Sequence, residues 1–325
     1  MSLSDRPSAE PIPLEAIRAA RARIAGAAIR TPLVRLDAED LPGEIFLKLE
    51  TLQPVGSFKI RGAASAIRRL SPSELERGVW TASAGNMAQG VAWQARRMGL
   101  QCTVIAPDHA PETKRAAVRR LGARLITIPF ADWFEVLRTR TFPGMTGTFI
   151  HPVCDPAVMA GNGTIGLEIL EDLPEVDTIL VPYGGGGLSC GIASAVRALK
   201  PAVRVFACEV ETAAPLAAAL AAGAPISVAY TPSFVDGIGS PSVLPEMWPL
   251  ARDLLAGSLV SSVAEVAAAV RLVVERHHVV AEGAGATPVA AALAGRAGPG
   301  RIACVVSGGN LDPARLAAIL TGTAP

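Results

Sequence analysis

The chain contains only four lysines, and one of them stands where amine chemistry is plausible. Lys48 falls in a strand-like run, while Lys114 and Lys200 read as solvated helix positions. Lys59 lies in Gly56-Ser-Phe-Lys59-Ile-Arg-Gly62, just inside a helix that Ser57 is placed to cap and that should run to about Leu70. The helix dipole there disfavours a positive charge. Burial would lower the amine further from its ordinary ~10.4 and free it for a Schiff base. An ordinary surface lysine beside Phe58 satisfies the same spacing, so both readings stand on these residues alone.

Three more segments have unusual composition: Ser83-Ala84-Gly85-Asn86, Gly184-Gly185-Gly186-Gly187 followed by Leu188, and Ser307-Gly-Gly-Asn310. Each follows a strand-like run and precedes a helix or the chain's close. The glycine run has no side chains to shield its N–H groups and feeds a helix, so it can wrap a phosphate; a tight strand–helix turn is the plainer reading. It fits neither GxGxxG nor the P-loop, which favours a single phosphate ester over a nucleotide. The N–H groups at Ser83 to Asn86 suit a substrate carboxylate, the Asn86 amide suits a phenolic oxygen, and Ser307 can offer a hydroxyl to a ring nitrogen. Each of these is also compatible with a simple cap or turn.

The elements that would position these loops alternate. Helical spacing covers Glu15–Ala27, Met87–Met98, Glu112–Leu121, Gly166–Asp172, Leu188–Leu199, Pro215–Ala222 and Val263–His277. Strand-like runs cover 45–50, 79–82, 102–106, 125–128, 178–182, 203–208 and 302–306. That rhythm predicts an α/β fold with two parallel or mixed open sheets flanked by helices, in which ligands sit beyond the carboxyl ends of the strands.

Composition narrows the classes. With 325 residues there is ample material for buried cores, and 50% hydrophobic with only 4% aromatic residues suits helices packed on a buried sheet. A net charge of +1 gives no case for nucleic acid or an anionic membrane. The five cysteines are dispersed among apolar neighbours and read as reduced core thiols. The opening MSLSDRPSAEPIP lacks an apolar h-region and no run is long enough to span a bilayer, so a cytoplasmic protein is expected. Adjacent His277 and His278 read as structural, and the basic residues from Arg96 to Arg120 as a solvated helical face.

Taken together in chain order, Ser57-Phe-Lys59-Ile-Arg-Gly62, Ser83-Ala-Gly-Asn86-Met-Ala-Gln, Gly184 to Leu188, Asp236-Gly237, Glu282-Gly-Ala-Gly-Ala286 and Ser307-Gly-Gly-Asn310 resemble the threonine/serine dehydratases. These are fold-type II pyridoxal-phosphate enzymes, tryptophan synthase β-like and related to serine racemases. The resemblance covers nearly the whole chain. It implies that Lys59 forms the imine with pyridoxal 5'-phosphate and later moves protons at Cα, with Phe58 packing beside the cofactor. Asn86 would bind its 3′-oxygen, Gly184, Gly185, Gly186, Gly187 and Leu188 its phosphate, and Ser307 its ring nitrogen, while Gly237 lies alongside. Ser83, Ala84, Gly85 and Asn86 would receive the substrate carboxylate.

The implied reaction removes water from a small β-hydroxy amino acid, L-threonine or L-serine, to give ammonia and a 2-oxo acid. The implied organisation is a large domain, 1–77 and 155–325, with a small mobile domain, 78–154, and a homodimer as the assembly. Alternatives are a serine racemase, a dehydratase for threo-3-hydroxyaspartate or phenylserine, a β-replacement synthase, and a non-catalytic phosphate or nucleotide sensor. Three departures matter: Ala84 replaces the serine that racemases use on the opposite face, Met87 replaces a common histidine, and Pro215 replaces an oxygen-bearing ligand of the family's cation site near Glu209 and Ala213. No metal is therefore assigned.

Overall fold

A computed structural model describes residues 10–83, 85–110 and 112–323. The chain opens with α1 (Leu14–Ile24), β1 (Leu33–Arg35), β2 (Glu44–Leu49), a short 3-10 turn (Glu50–Leu52) and α2 (Lys59–Ile67). There follow α3 (Pro72–Glu76), β3 (Val79–Ala82), α4 (Asn86–Arg97), β4 (Cys102–Pro107), α5 (Glu112–Arg120), β5 (Arg124–Ile128), α6 (Phe130–Thr139) and β6 (Thr148–Phe149). The chain continues through α7 (Pro156–Asp172), β7 (Thr178–Pro182), α8 (Gly187–Leu199), β8 (Arg204–Val210), α9 (Pro215–Ala222), α10 (Trp248–Leu254) and β9 (Ser258–Ser261). It closes with α11 (Val263–His277), α12 (Gly283–Leu293), β10 (Arg301–Val306) and α13 (Pro313–Thr321).

Among the described residues the strands make two sheets. The larger runs β1-β2-β10-β7-β8-β9, parallel except for antiparallel β1; the smaller runs β5-β4-β3-β6 and is wholly parallel. Both faces of the larger sheet are covered. Ile179, Val181, Ala303 and Val305 face one core with α1, α7, α8 and α10, while Leu180, Ile302, Cys304 and Val306 face the other with α11 and α12. That two-residue alternation with apolar residues on both sides is what a doubly covered parallel sheet requires. The five cysteines are buried and free.

A buried charge cluster fixes the helix that begins at Lys59. Arg61 donates to Glu50 at 2.8 Å and to Glu168 at 2.6 and 2.8 Å, and Lys48 pairs with Glu168 at 2.6 Å. All four side chains are almost wholly excluded from solvent, so each charge depends on its partners. The cluster ties β2, α2 and α7 together.

Several elements differ from the sequence expectation. Ser57 does not cap α2: Phe58 occupies the cap position without a side-chain hydrogen bond, and Ser57 Oγ is buried without a partner among the described residues. Ser57 pairs through its backbone with Gly308 instead. Helix α7 starts ten residues before Gly166, at Pro156, with Asp155 accepting from the N–H groups of Ala157 and Val158. Its internal glycines hide it from propensity. They are used for close crossing: a Cβ on Gly163 would lie 2.7 Å from the Gly191 carbonyl oxygen of α8. Lys48 is a core residue, and Lys114 pairs with Asp236 at 2.7 Å rather than facing solvent freely.

Candidate active site

The four segments singled out by composition converge at the carboxyl ends of β2, β3, β7 and β10 around a cavity of about 570 Å³. Phe58, Lys59, Ser83, Gly85, Asn86, Gly184, Gly185, Gly186, Gly187, Leu188, Gly237 and Ser307 all line it. Ala84 lies outside the described residues.

Two backbone ties hold Lys59 in place. The Phe58 N–H donates to the Ser307 carbonyl at 2.9 Å, and Gly309 N–H to Gly56 at 2.9 Å, which stitches the loop before α2 to the loop after β10. Gly56 takes φ +68°, a left-handed conformation suited to glycine, where a Cβ would also strike Asn310. The Lys59 side chain reaches the cavity floor and donates to the Pro152 carbonyl at 3.0 Å, with its amine 5.0 Å from the Phe58 ring centroid. Burial pushes the amine down to about 8, against the opposing attraction of the Glu282 carboxylate. A lysine so placed loses its proton far more readily than an exposed one, and its neutral form can act as a nucleophile or base.

The turn that presents the Pro152 carbonyl is built by His151. Its Nδ1 accepts the N–H groups of Val153 at 3.1 Å and Cys154 at 2.9 Å, and burial pushes its pKa down to about 3, so the ring is neutral. Cys154 and Glu246 lie near that ring, but its Nδ1 is already engaged by two backbone donors. Sequence reasoning misses this turn; a Pro after a His is its only local trace.

The glycine run wraps tightly around Val153. A Cβ on Gly185 would come within 2.6 Å of the Val153 side chain, and one on Gly187 within 2.6 Å of the Val153 carbonyl. Gly186 has φ +94°. Helix α8 starts at Gly187, so its first-turn N–H groups have no intrahelical acceptor, and Gly184 to Leu188 line the cavity. These residues fit a phosphate ester, and with the enclosed amine of Lys59 they fit pyridoxal phosphate as a whole.

Asn86 begins α4 and is gripped from both ends. Its Nδ2 donates to Glu282 Oε1 at 2.7 Å, and its Oδ1 accepts from Asn310 Nδ2 at 2.8 Å. Glu282 is buried, and that burial pushes its carboxyl up to about 7. In the sequence Glu282 is part of a motif but carries no assigned role. Ser83 Oγ accepts from the Gly85 N–H at 3.3 Å, closing the turn into α4. Gly237 sits where a Cβ would lie 2.9 Å from the Ala284 methyl. Ser307 is buried at the end of β10.

Glu209, where the resemblance would place the family's cation site, has its carboxylate spent on the fold. It accepts the N–H groups of Leu216 at 2.9 Å and Ala217 at 2.8 Å, and the Ser258 hydroxyl at 2.6 Å. No described helix is long and apolar enough to cross a membrane.

Comparison with known proteins yields one consistent picture. A model described as "Pyridoxal-phosphate dependent enzyme" matches residues 24–308. An L-threonine ammonia-lyase of Thermotoga maritima is 41% identical over 307 residues, covering 93% of this chain and 76% of that protein. The catabolic L-threonine dehydratase TdcB of Escherichia coli (strain K12) is 36% identical, covering 95% and 96%. Among solved structures, maize serine racemase superposes with a TM-score of 0.88 at 32% identity, covering 97% of this chain and 98% of that one. The threonine deaminase of T.th. gives 0.85 at 36% identity, covering 92% and 98%.

Proposed function

Because the chain belongs to the family of pyridoxal-phosphate-dependent enzymes, we propose that it is an ammonia-lyase acting on a β-hydroxy amino acid of the threonine or serine type, with ammonia and a 2-oxo acid as products. The observation that carries this reading is the enclosed Lys59 amine, held at about 8 beside a glycine cradle and a helix N-terminus.

Pyridoxal phosphate, when bound, offers an aldehyde carbon to an amine and a conjugated ring that disperses the electron pair left at the substrate Cα. The chain's own groups then have separate tasks. Lys59 would hold the cofactor through Nζ, and the same amine is the base placed to take the substrate's Cα proton. The Pro152 carbonyl receives an N–H of that amine and so orients it. Gly184 to Leu188 would hold the phosphate with backbone donors. Asn86 would offer its remaining amide N–H to the cofactor's 3′-oxygen, and the segment from Ser83 to Asn86 would receive the substrate carboxylate. Ser307 would face the ring nitrogen with a hydroxyl rather than an acid, an environment that would leave that nitrogen largely unprotonated.

Residues 78–154, which include the four-stranded sheet, act in this proposal as a small domain closing over the site; Lys114 with Asp236 and Asn86 with Glu282 span the cleft. The proposed assembly is a homodimer, to be checked by light scattering. The chemistry is tested by borohydride reduction of the holoenzyme and peptide mass spectrometry. A pyridoxyl group on Lys59 is expected. A fully loaded enzyme with no adduct at that position rules the mechanism out.

A further inference from the structure

Aromatic residues are rare in this chain, at 4%, and Phe58, Phe130, Trp133 and Tyr230 line the cavity that holds Lys59. Helix α6 lines it with Phe130, Trp133 and Leu137, positions spaced by three and four residues and so on one face. His109 adds its ring 5.4 Å from that of Phe130, and Phe130 stacks on Trp133 at 5.7 Å. Tyr230, one of only two tyrosines, lines the same cavity from the larger sheet's side together with Pro232. Phe130 is 51% and Tyr230 49% exposed, so this wall has apolar surface with nothing covering it.

A hydrogen or a methyl on the substrate's β-carbon is too small to cover such a wall. A second carboxylate would fare poorly too: of the cations lining the cavity, Lys59 is committed to the chemistry and Lys114 is paired with Asp236 at 2.7 Å. A ring fits, since aromatic pairs gain from stacked and edge contacts beyond the area they bury.

We propose that the preferred substrate carries an aryl group on its β-carbon, as in L-threo-phenylserine, and that Phe130 and Trp133 determine this specificity. The inference rests on the ammonia-lyase reading given above. The overall reaction balances without an oxidant. The Cα proton and the β-hydroxyl depart as one water, the resulting enamine becomes an imine, and a second water replaces its nitrogen. Ammonia leaves, and the product is a 3-aryl-2-oxopropanoate.

The holoenzyme is assayed for 2-oxo acid release from L-threo-phenylserine, L-threonine, L-serine and threo-3-hydroxyaspartate. The expected kcat/KM for phenylserine exceeds that for threonine by at least about tenfold, the scale on which an apolar subsite discriminates. In Trp133→Ala and in the milder Trp133→Leu, the ratio of phenylserine to serine kcat/KM falls by about tenfold. Independently of turnover, L-phenylalanine, which lacks the leaving hydroxyl, should perturb the cofactor's visible absorbance at about tenfold lower concentration than L-alanine. Turnover of threonine or serine with no preference for phenylserine overturns this inference and leaves the lyase reading standing. Turnover of none of the four by cofactor-loaded enzyme overturns the lyase reading, and equal binding of phenylalanine and alanine then overturns the aromatic subsite as well.

Discussion

Asn86 Nδ2 and Glu282 Oε1 lie 2.7 Å apart across the cleft between the two sheets. With Asn310 donating to the other end of the amide, Asn86 cannot flip, and one N–H remains for a cofactor oxygen. Asn86→Ala should therefore weaken cofactor retention by about tenfold, the worth of a hydrogen bond to a charged group, and shift the visible band of the bound cofactor. Equilibrium dialysis and absorbance spectra check both. An unchanged affinity with an unchanged spectrum means that Asn86 does not touch the cofactor.

Glu282 imposes a pH dependence on the cofactor-free protein. Its carboxyl titrates at about 7 in the fold, against an ordinary value of 4.5. Between these values the folded form binds more protons than the unfolded form, so stability falls as pH rises through that window. The loss is on the order of 3 kcal/mol when complete. Thermal melts from pH 4.5 to 7.5 should slope downward more steeply in the native protein than in Glu282→Gln. Parallel slopes would refute the assignment.

The Lys59 amine sets a second pH dependence, of opposite sense. Its pKa near 8 lies below the usual 10.5, so the nucleophilic neutral form appears above pH 8 and is protonated away below it. Stopped-flow capture of pyridoxal phosphate by cofactor-free protein should accelerate about tenfold per pH unit up to that point and then level off. A rise continuing to pH 10 would mean that the amine is not shielded from solvent. Lys59→Ala should show no covalent capture and lose at least about a thousandfold in kcat.

Val153 and the glycine loop make a paired test. Gly185→Ala drives a methyl into the Val153 side chain, whereas Gly187→Ala drives one into the Val153 backbone carbonyl. Each should weaken cofactor binding by tenfold or more, a cost of about 1–3 kcal/mol for overpacking. Adding Val153→Ala should restore binding to Gly185→Ala and leave Gly187→Ala impaired. Equal rescue of both would show that the loop is free to move away from its neighbour.

Arg61 supports the site through packing rather than contact. Arg61→Ala leaves Glu50 and Glu168 buried with Lys48 as the remaining buried counter-charge among the described residues. A destabilisation of about 3–5 kcal/mol is expected, read as a lower unfolding midpoint in urea. A loss under about 1 kcal/mol would mean that water enters the cluster when the guanidinium is removed.

The loops at the strand ends are readable from the sequence because their signal is local. Gly184 to Gly187 and Ser307 to Asn310 announce themselves by composition, and Val263 to His277 by unbroken helical periodicity. What stays hidden depends on partners distant in the chain. Helix α7 looks broken at Gly161, Gly163 and Gly166 until α2 and α8 are seen pressing against it, and α12 carries Pro288 within its length. Glu282 resembles any helix-leading acid until Asn86 arrives from the other sheet. The aromatic face of α6 has no local signal of function, since Phe130 and Trp133 acquire meaning only from the cavity they line.

The strand formed last in the chain, β10, lies in the interior of the larger sheet, between β2 and β7. During synthesis on a ribosome these two earlier strands must wait with unmatched edges until residues near 306 emerge from the exit tunnel. A nascent chain halted before Arg301 would lack the strand that joins β2 to β7, and their open edges would invite capture by chaperones or by one another.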